Sequence, residues 1–400
     1  MRITQGMEQA QFLSSLNQLE SNIAQTQNQI STGLSFTTAS QNPVDAGLVA
    51  NYSAALAQSQ QYTSNANAAQ TDLNTEDTAL TQVQSQLQSL RDLALEANSG
   101  SVSSQNLTAI AAQATQIQSS LLSLANTQNG NGDYIFAGNA AQTLPFALTA
   151  TGASYAGDQG QQQVQIAAGL TVATGDNGNV VFNQIKTGNG TFTVTPSAAN
   201  AGSGVIGATT VSNPAAYTGG SYSIDFTAPN TYRVLDAAPP HTVVTFGTYT
   251  SGQTIAFSGL QVTLSGQPAA GDSFAVAPSS DQSIFTTVQN LVTALQAGNA
   301  TPTAKTQLSN SIAAAINNID QALSQTSTVQ AGVGGRLNLI TTQLSVATSQ
   351  QTQLQTSITS LQGLNYASAV TSLDSQNTTL SAAMQAFTLT QQLSLFKYIS

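Results

Sequence analysis

The 400-residue chain has no cysteine, one histidine and very little charge. Without cysteine, neither disulfides nor thiolate metal sites can hold the fold, so its stability must come from packing. Charged residues make up 6% of the chain, against about a quarter in ordinary globular domains. Its surface must therefore be wetted by Ser, Thr, Gln and Asn. The seven Lys and Arg are scattered: residues 1–139 hold 2 against 9 acidic residues, 140–280 hold 2 against 5, and 281–400 hold 3 against 3, for a net charge of −10. Nucleic-acid binding needs clustered cations that displace counterions from phosphates, and this distribution excludes it. No stretch approaches the roughly 20 apolar residues of a membrane span, so no membrane partner is expected. The polar, Gln-rich segment after Met1-Arg2-Ile3-Thr4 lacks the apolar run of a cleavable signal peptide.

Catalytic groupings are equally scarce. A Ser-His-Asp triad would have to use His241, which follows Pro239-Pro240 and reads as an exposed loop residue. Paired carboxylates are the alternative, but Asp225 and Asp236 read as isolated and Glu76-Asp77 as part of a solvated helix face. Asn129-Gly130-Asn131-Gly132 lacks the Gly-Lys-Ser/Thr of a phosphate loop and reads as a turn pair. Asp176-Asn177-Gly178-Asn179 begins like a calcium loop but reaches Thr187 where a bidentate Glu is needed, so it reads as a hairpin turn. No catalytic, cofactor-binding or metal-ligating residue is expected, and the chain reads as a structural subunit and not an enzyme.

What the chain does have is helical periodicity at both ends. Phe12, Leu16, Leu19, Ile23, Thr26 and Ile30 step by 4, 3, 4, 3 and 4, one stripe along a helix that Gly33 ends. Asn42-Pro43-Val44-Asp45 reads as an N-cap, a first-turn proline and an acidic residue at the positive end of the helix dipole. From there Leu73, Leu80, Val83, Leu87, Leu90 and Ala94 keep the 3/4 spacing towards Gly100. A helix of about 50 residues would be roughly 75 Å long. Leu107, Ile110, Ala114, Ile117, Leu121 and Leu124 mark a third helix that returns antiparallel.

Helical signals resume after Asp281. Thr301-Pro302 reads as a cap and first residue, followed by Leu308, Ile312, Ala315, Ile319 and Leu323. Gly332, Gly334 and Gly335 read as an interruption. Beyond them Leu337, Ile340, Leu344, Ala347, Gln351, Leu354, Ile358 and Leu361 hold a heptad-like spacing, and Tyr366 to Phe387 resumes it in a new phase. Between the helical parts, Gly, Thr, Val and Tyr take over. Runs such as Thr191-Phe192-Thr193-Val194, Tyr222-Ser223-Ile224-Asp225-Phe226 and Gln261-Val262-Thr263-Leu264 have the period of two expected of half-buried strands.

The expected fold is therefore α+β and multidomain: a long antiparallel helical bundle drawn from both chain ends, coiled-coil-like termini, and an inserted β-rich domain. Boundaries are expected at 1–42 plus 363–400 for the terminal helices, 43–139 plus 281–362 for the bundle, and 140–280 for the insert. Periodicity serves an internal bundle and subunit packing equally well. Many stripe positions are Ala, Thr or Gln, however, so a lone hairpin would bury little per turn. Subunit packing is accordingly expected to fall on Phe12, Leu16, Leu19, Ile23, Ile30, Leu354, Ile358, Leu361, Leu380, Phe387, Leu395 and Phe396, and Leu354→Asp or Leu395→Asp to block assembly.

Several segments together resemble the bacterial flagellin superfamily, and within it the hook-associated protein 3 family. Met1-Arg2-Ile3-Thr4, Ile30-Ser31-Thr32-Gly33-Leu34 and Asn42-Pro43-Val44-Asp45-Ala46 are similar to its amino-terminal elements. Leu124 to Gly138, with Asn129-Gly130-Asn131-Gly132-Asp133-Tyr134-Ile135-Phe136-Ala137-Gly138, resembles the junction protein more than flagellin. Val333-Gly334-Gly335-Arg336-Leu337-Asn338 resembles the family's Gly-x-Arg-x-Asn element, Gly271-Asp272-Ser273-Phe274 a strand of its β domain, and Leu393-Ser394-Leu395-Phe396-Lys397-Tyr398-Ile399 its ending. Gln41-Asn42 stands where the family has an acidic pair, and Lys397 where it has Asp.

The resemblance implies an extracellular subunit of the bacterial flagellum, exported through the flagellum's own type III channel and joining hook to filament. Implied partners are further copies in a ring, the first hook-associated protein, flagellin or the filament cap, and an export chaperone; no cofactor is implied. A flagellin-type filament subunit and a secreted adhesin with a β-rich binding domain are the rival readings.

Overall fold

The computed structural model describes residues 5–99 and 102–396, with side chains at 7–99 and 102–389. Two compact units emerge, one of residues 1–64 with 343–400 and one of 65–342. Helix α1 (Gln5–Thr32) ends at Gly33, whose φ of 74° is a left-handed conformation that glycine adopts without a Cβ clash. Helix α2 (Pro43–Ala97) begins where its sequence places it, with Asn42 Oδ1 accepting the Asp45 amide at 3.2 Å. Helix α3 (Ser104–Ala125) follows, capped by the Ser103 side chain.

In the 65–342 unit, the stripe residues Leu73, Leu80, Val83, Leu87, Leu90 and Ala94 of α2 are all buried, as are Leu107, Ile110, Ala114, Ile117 and Leu121 of α3. Each buried leucine contributes roughly 1.5–3 kcal/mol, so hydrophobic burial on these faces holds the bundle together.

Fourteen strands lie between α3 and the carboxyl-terminal helices among the described residues. Strands β1 (Phe146–Thr149) and β2 (Gly152–Tyr155) form a hairpin, as do β3 (Gln163–Ala167) and β4 (Leu170–Ala173). A five-residue π-turn, Asn179–Asn183, follows. The segment 176–179, read from sequence as a hairpin turn, instead leads into this π-turn, because Asn177 caps the Val180 amide and the Gly178 amide donates to Phe136 O. Next come β5 (Ile185–Lys186), β6 (Phe192–Pro196), β7 (Val205–Val211), β8 (Tyr222–Ala228), β9 (Thr231–Asp236), β10 (Val243–Thr248), β11 (Thr254–Phe257), β12 (Leu260–Ser265), β13 (Ser273–Pro278) and β14 (Asp281–Gln282).

All pairings are antiparallel. A five-stranded sheet in the order β10-β9-β8-β13-β6 and a three-stranded sheet in the order β11-β12-β7 share one core. Alternation puts Tyr222, Ile224 and Phe226 of β8, and Leu260, Val262 and Leu264 of β12, into that core. Asp225, read as isolated, faces Arg233 across β8 and β9 at 3.6 Å. The pair is partly exposed and contributes little. His241 sits exposed in the loop between β9 and β10.

The chain then forms α4 (Ile284–Ala297), α5 (Pro302–Gln362) and α6 (Tyr366–Phe396). Helix α5 runs unbroken through Gly332, Gly334 and Gly335, where the sequence reads as interrupted. None of these glycines takes a positive φ. Burial of Val329, Val333 and Ile340 on one face outweighs the glycines' low helix propensity. Within the 65–342 unit α2 and α5 are held in antiparallel register by side-chain hydrogen bonds centred on Gln330. Gln330 bonds Asp77 and Thr81, both at 3.0 Å, and Gln84 bonds Gln330 at 2.9 Å. An Arg91–Asp320 pair at 2.6 Å adds an ionic contact.

Candidate assembly surface

The two chain ends meet in the unit of residues 1–64 and 343–400. Phe12 and Phe387 stack with ring centroids 4.9 Å apart and planes 6° off parallel, Thr26 bonds Gln376 at 3.2 Å, and Leu34 bridges Gly363. Positions along α1 rise as those along α6 fall, so the pair is antiparallel. Two backbone bonds lock its closed end: Ser35 N–H to Gln362 O at 2.7 Å and Leu364 N–H to Gly33 O at 3.0 Å. On α6, Leu373, Gln376, Leu380, Ala383 and Phe387 are the inward, half-buried positions.

Of the residues expected to pack, Ile23 is buried, and Phe12, Leu16, Leu19, Ile30, Leu354, Ile358, Leu361, Leu380 and Phe387 are half-buried. The side chains of Leu395 and Phe396 lie outside the described residues. Phe12 and Phe387 are brought together. What periodicity missed is a second apolar set on the same helices. Met7, Leu13, Val370, Met384 and Leu389 are exposed, Met384 at 52% and Leu389 at 61%. A two-helix hairpin has only one seam, so side chains off that seam stay in water until something else covers them.

A buried polar cluster lies in the other unit. Glu76, read from sequence as solvated, is fully buried. Its Oε1 accepts the Asp176 amide at 3.0 Å, while its Oε2 has no hydrogen-bond partner. Arg336 Nη2 stands 4.0 Å from that oxygen and bonds Asp176 Oδ2. Burial first, then repulsion from Asp176, pushes the Glu76 carboxyl up to about 8, with Arg336 opposing the shift. The error is traceable: positions 73, 76, 80 and 83 step by 3, 4 and 3, so the helical phase places Glu76 on the buried stripe.

The segment Tyr134 to Gly138 also has a packing role. Phe136 is fully buried edge-on to Phe182 at 5.2 Å, and Phe146 joins Phe182 at 5.3 Å and Phe285 at 5.4 Å. Gly138 has a φ of 69°, and a Cβ there would fall 2.1 Å from Asp158 Oδ1. No helix among the described residues is long and apolar enough to cross a membrane.

Residues 3–141 match the family model for the bacterial flagellin N-terminal helical region. The flagellar hook-associated protein 3 of Salmonella typhimurium is 31% identical over 185 residues, covering 46% of this chain and 58% of that protein. The chain thus spans little more than half the length of that curated relative. The crystal structure of FlgL from Xanthomonas campestris is 33% identical, covers 77% of this chain and 99% of that one, and superposes with a TM-score of 0.73. The flagellar junction protein FlgL from Legionella pneumophila is 30% identical over 71% of this chain and 95% of its own, with a TM-score of 0.66.

Proposed function

This chain belongs to the FlgL family, and we propose that it is a structural subunit joining hook to filament in the bacterial flagellum. The observation that carries the reading is the α1–α6 pair, whose seam is filled by its own residues and whose outer faces keep Met7, Leu13, Val370, Met384 and Leu389 exposed. Terminal helices of this kind suit a chain that leaves the cell unfolded and gains its last contacts on assembly. The lack of cysteine suits such a route, since no disulfide can block threading.

In this reading the terminal helices pack against further copies of the chain, one end of the ring meets the first hook-associated protein, and the other meets flagellin or the filament cap. The helices at 43–139 and 281–362 form a middle layer, and the β-rich insert of 140–280 faces outward. Export takes place through the flagellum's own type III channel, with a chaperone for the unfolded ends. Work done by the subunit is mechanical. Its helices carry few charges, so side-chain shape and uncharged hydrogen bonds set the register between subunits.

Deleting the gene in the host bacterium tests the reading by electron microscopy and by assay of flagellin in the medium. Hooks without filaments, with flagellin lost to the medium, are the expected result. Normal filaments on the deletion strain would overturn it and favour a surface-binding role for the β-rich insert.

A further inference from the structure

We propose that Glu76, Asp176 and Arg336 form a proton-operated clasp, closed while Glu76 carries a proton and loosened when it gives the proton up, that ties the 174–178 loop to α2 and α5. Three elements converge on the cluster. From α2 comes Glu76, from the loop Asp176, and from α5 Arg336, which also reaches Ala173 O at 3.5 Å. Asp176 and Arg336 are the charged groups whose fields act on Glu76. Asp72 and Asp133 line a cavity of about 30 Å³ beside Asp176. Asp72 itself is pushed up by burial, is held by the Asn129 side chain, and is repelled by Asp133.

The geometry favours one charge state. With Glu76 ionised, two carboxylates share one guanidinium in a site without water access to Glu76, and Oε2 is left without a donor. A buried acceptor with no partner and a buried unpaired charge are both costly. A proton on the Glu76 carboxyl removes the buried unpaired charge, and the neighbouring Asp176 carboxylate, which Arg336 also holds, offers it an acceptor. The neutral acid then donates to Asp176, and Asp176 and Arg336 remain as one balanced pair. Losing that proton to solvent puts a net negative charge inside the unit, and the cheapest relief is for the 174–178 loop to open and admit water.

Composition makes the clasp separable from other titrations. Between about pH 6 and 9 the groups that ordinarily change charge are histidine, cysteine and the amino terminus. This chain has no cysteine and one histidine, His241, which lies in the β9–β10 loop.

Hydrogen exchange on the full chain tests the proposal, with rates corrected for the intrinsic pH dependence of each amide. Protection at Asp176 and through the 174–178 loop is expected to fall about tenfold or more between about pH 6 and pH 9.5, while α3 amides keep theirs. Glu76→Gln should hold the loop's protection constant across the range, and His241→Gln should follow the wild type. A flat wild-type profile at Asp176 overturns the clasp whether or not the variants fold. So does a Glu76→Gln chain whose loop still opens with rising pH.

Discussion

Glu76 keeps a proton in the folded chain at pH values where the unfolded chain has lost it. The carboxyl moves from an ordinary value of 4.5 to about 8 on folding, chiefly through burial. Between those values the folded state holds one more proton than the unfolded state, so the contribution to stability is full below about pH 4.5 and is lost progressively up to about pH 8. Glu76→Gln, which keeps the shape and cannot ionise, should therefore match the wild type near pH 4 and exceed it by on the order of a few kcal/mol near pH 9. Thermal melting of both chains at the two pH values measures this; an equal difference at both would mean that Glu76 is ionised in the folded state. The position was legible and the burial was not inferred. The 73-76-80-83 phase points inward, but residue type argued for solvent, since a buried Glu is rare without a partner. Its partners Asp176 and Arg336 lie 100 and 260 residues away in sequence, beyond what local periodicity can show.

Helix α5 displays the opposite conflict, with local chemistry pointing to a break and packing maintaining the helix. A Cβ added at Gly332, Gly334 or Gly335 meets nothing within 4 Å, and none of the three has a positive φ. Gly334→Ala should thus stabilise the chain by about 0.5–1 kcal/mol, mainly by restricting the unfolded state. A urea titration would show it as a shifted midpoint at constant slope, whereas a destabilised variant would show that α5 needs this stretch to bend. Gly138 is the contrasting case, because its φ and the 2.1 Å approach of Asp158 leave no room for a side chain. Strands such as β8 and β12 were legible because period two is written into each segment. Their order was not. Strand β13 lies between β8 and β6, and β14 pairs with β5 through two residues, and such long-range pairings leave no local signature. The π-turn at 179–183 was equally hidden, since the bonds that fix its start run from the Gly178 amide to Phe136 O and from the Val180 amide to the Asn177 side chain.

At the scale of the molecule, the two chain ends divide their apolar residues between an inner seam and an outer face, and the two should respond differently to charge. Ile23 is buried on the α1 stripe, so Ile23→Asp would place a carboxylate among apolar groups and unravel the α1–α6 pair. Leu13 and Leu389 are exposed, and polar substitution at such sites usually changes stability by less than about 0.5 kcal/mol. Leu13→Asp and Leu389→Asp should accordingly keep the wild-type helix content and melting temperature. If neighbouring subunits cover this face, each variant would nonetheless bury an unpaired charge on assembly, a penalty large enough to exclude it from the flagellum. Motility of a deletion strain carrying each variant, with immunolabelling of its hooks, reads the result. Non-motile cells whose secreted variant is folded would assign the outer face to the subunit contact. Full motility with both variants would move the contact elsewhere and leave the exposed leucines as ordinary surface.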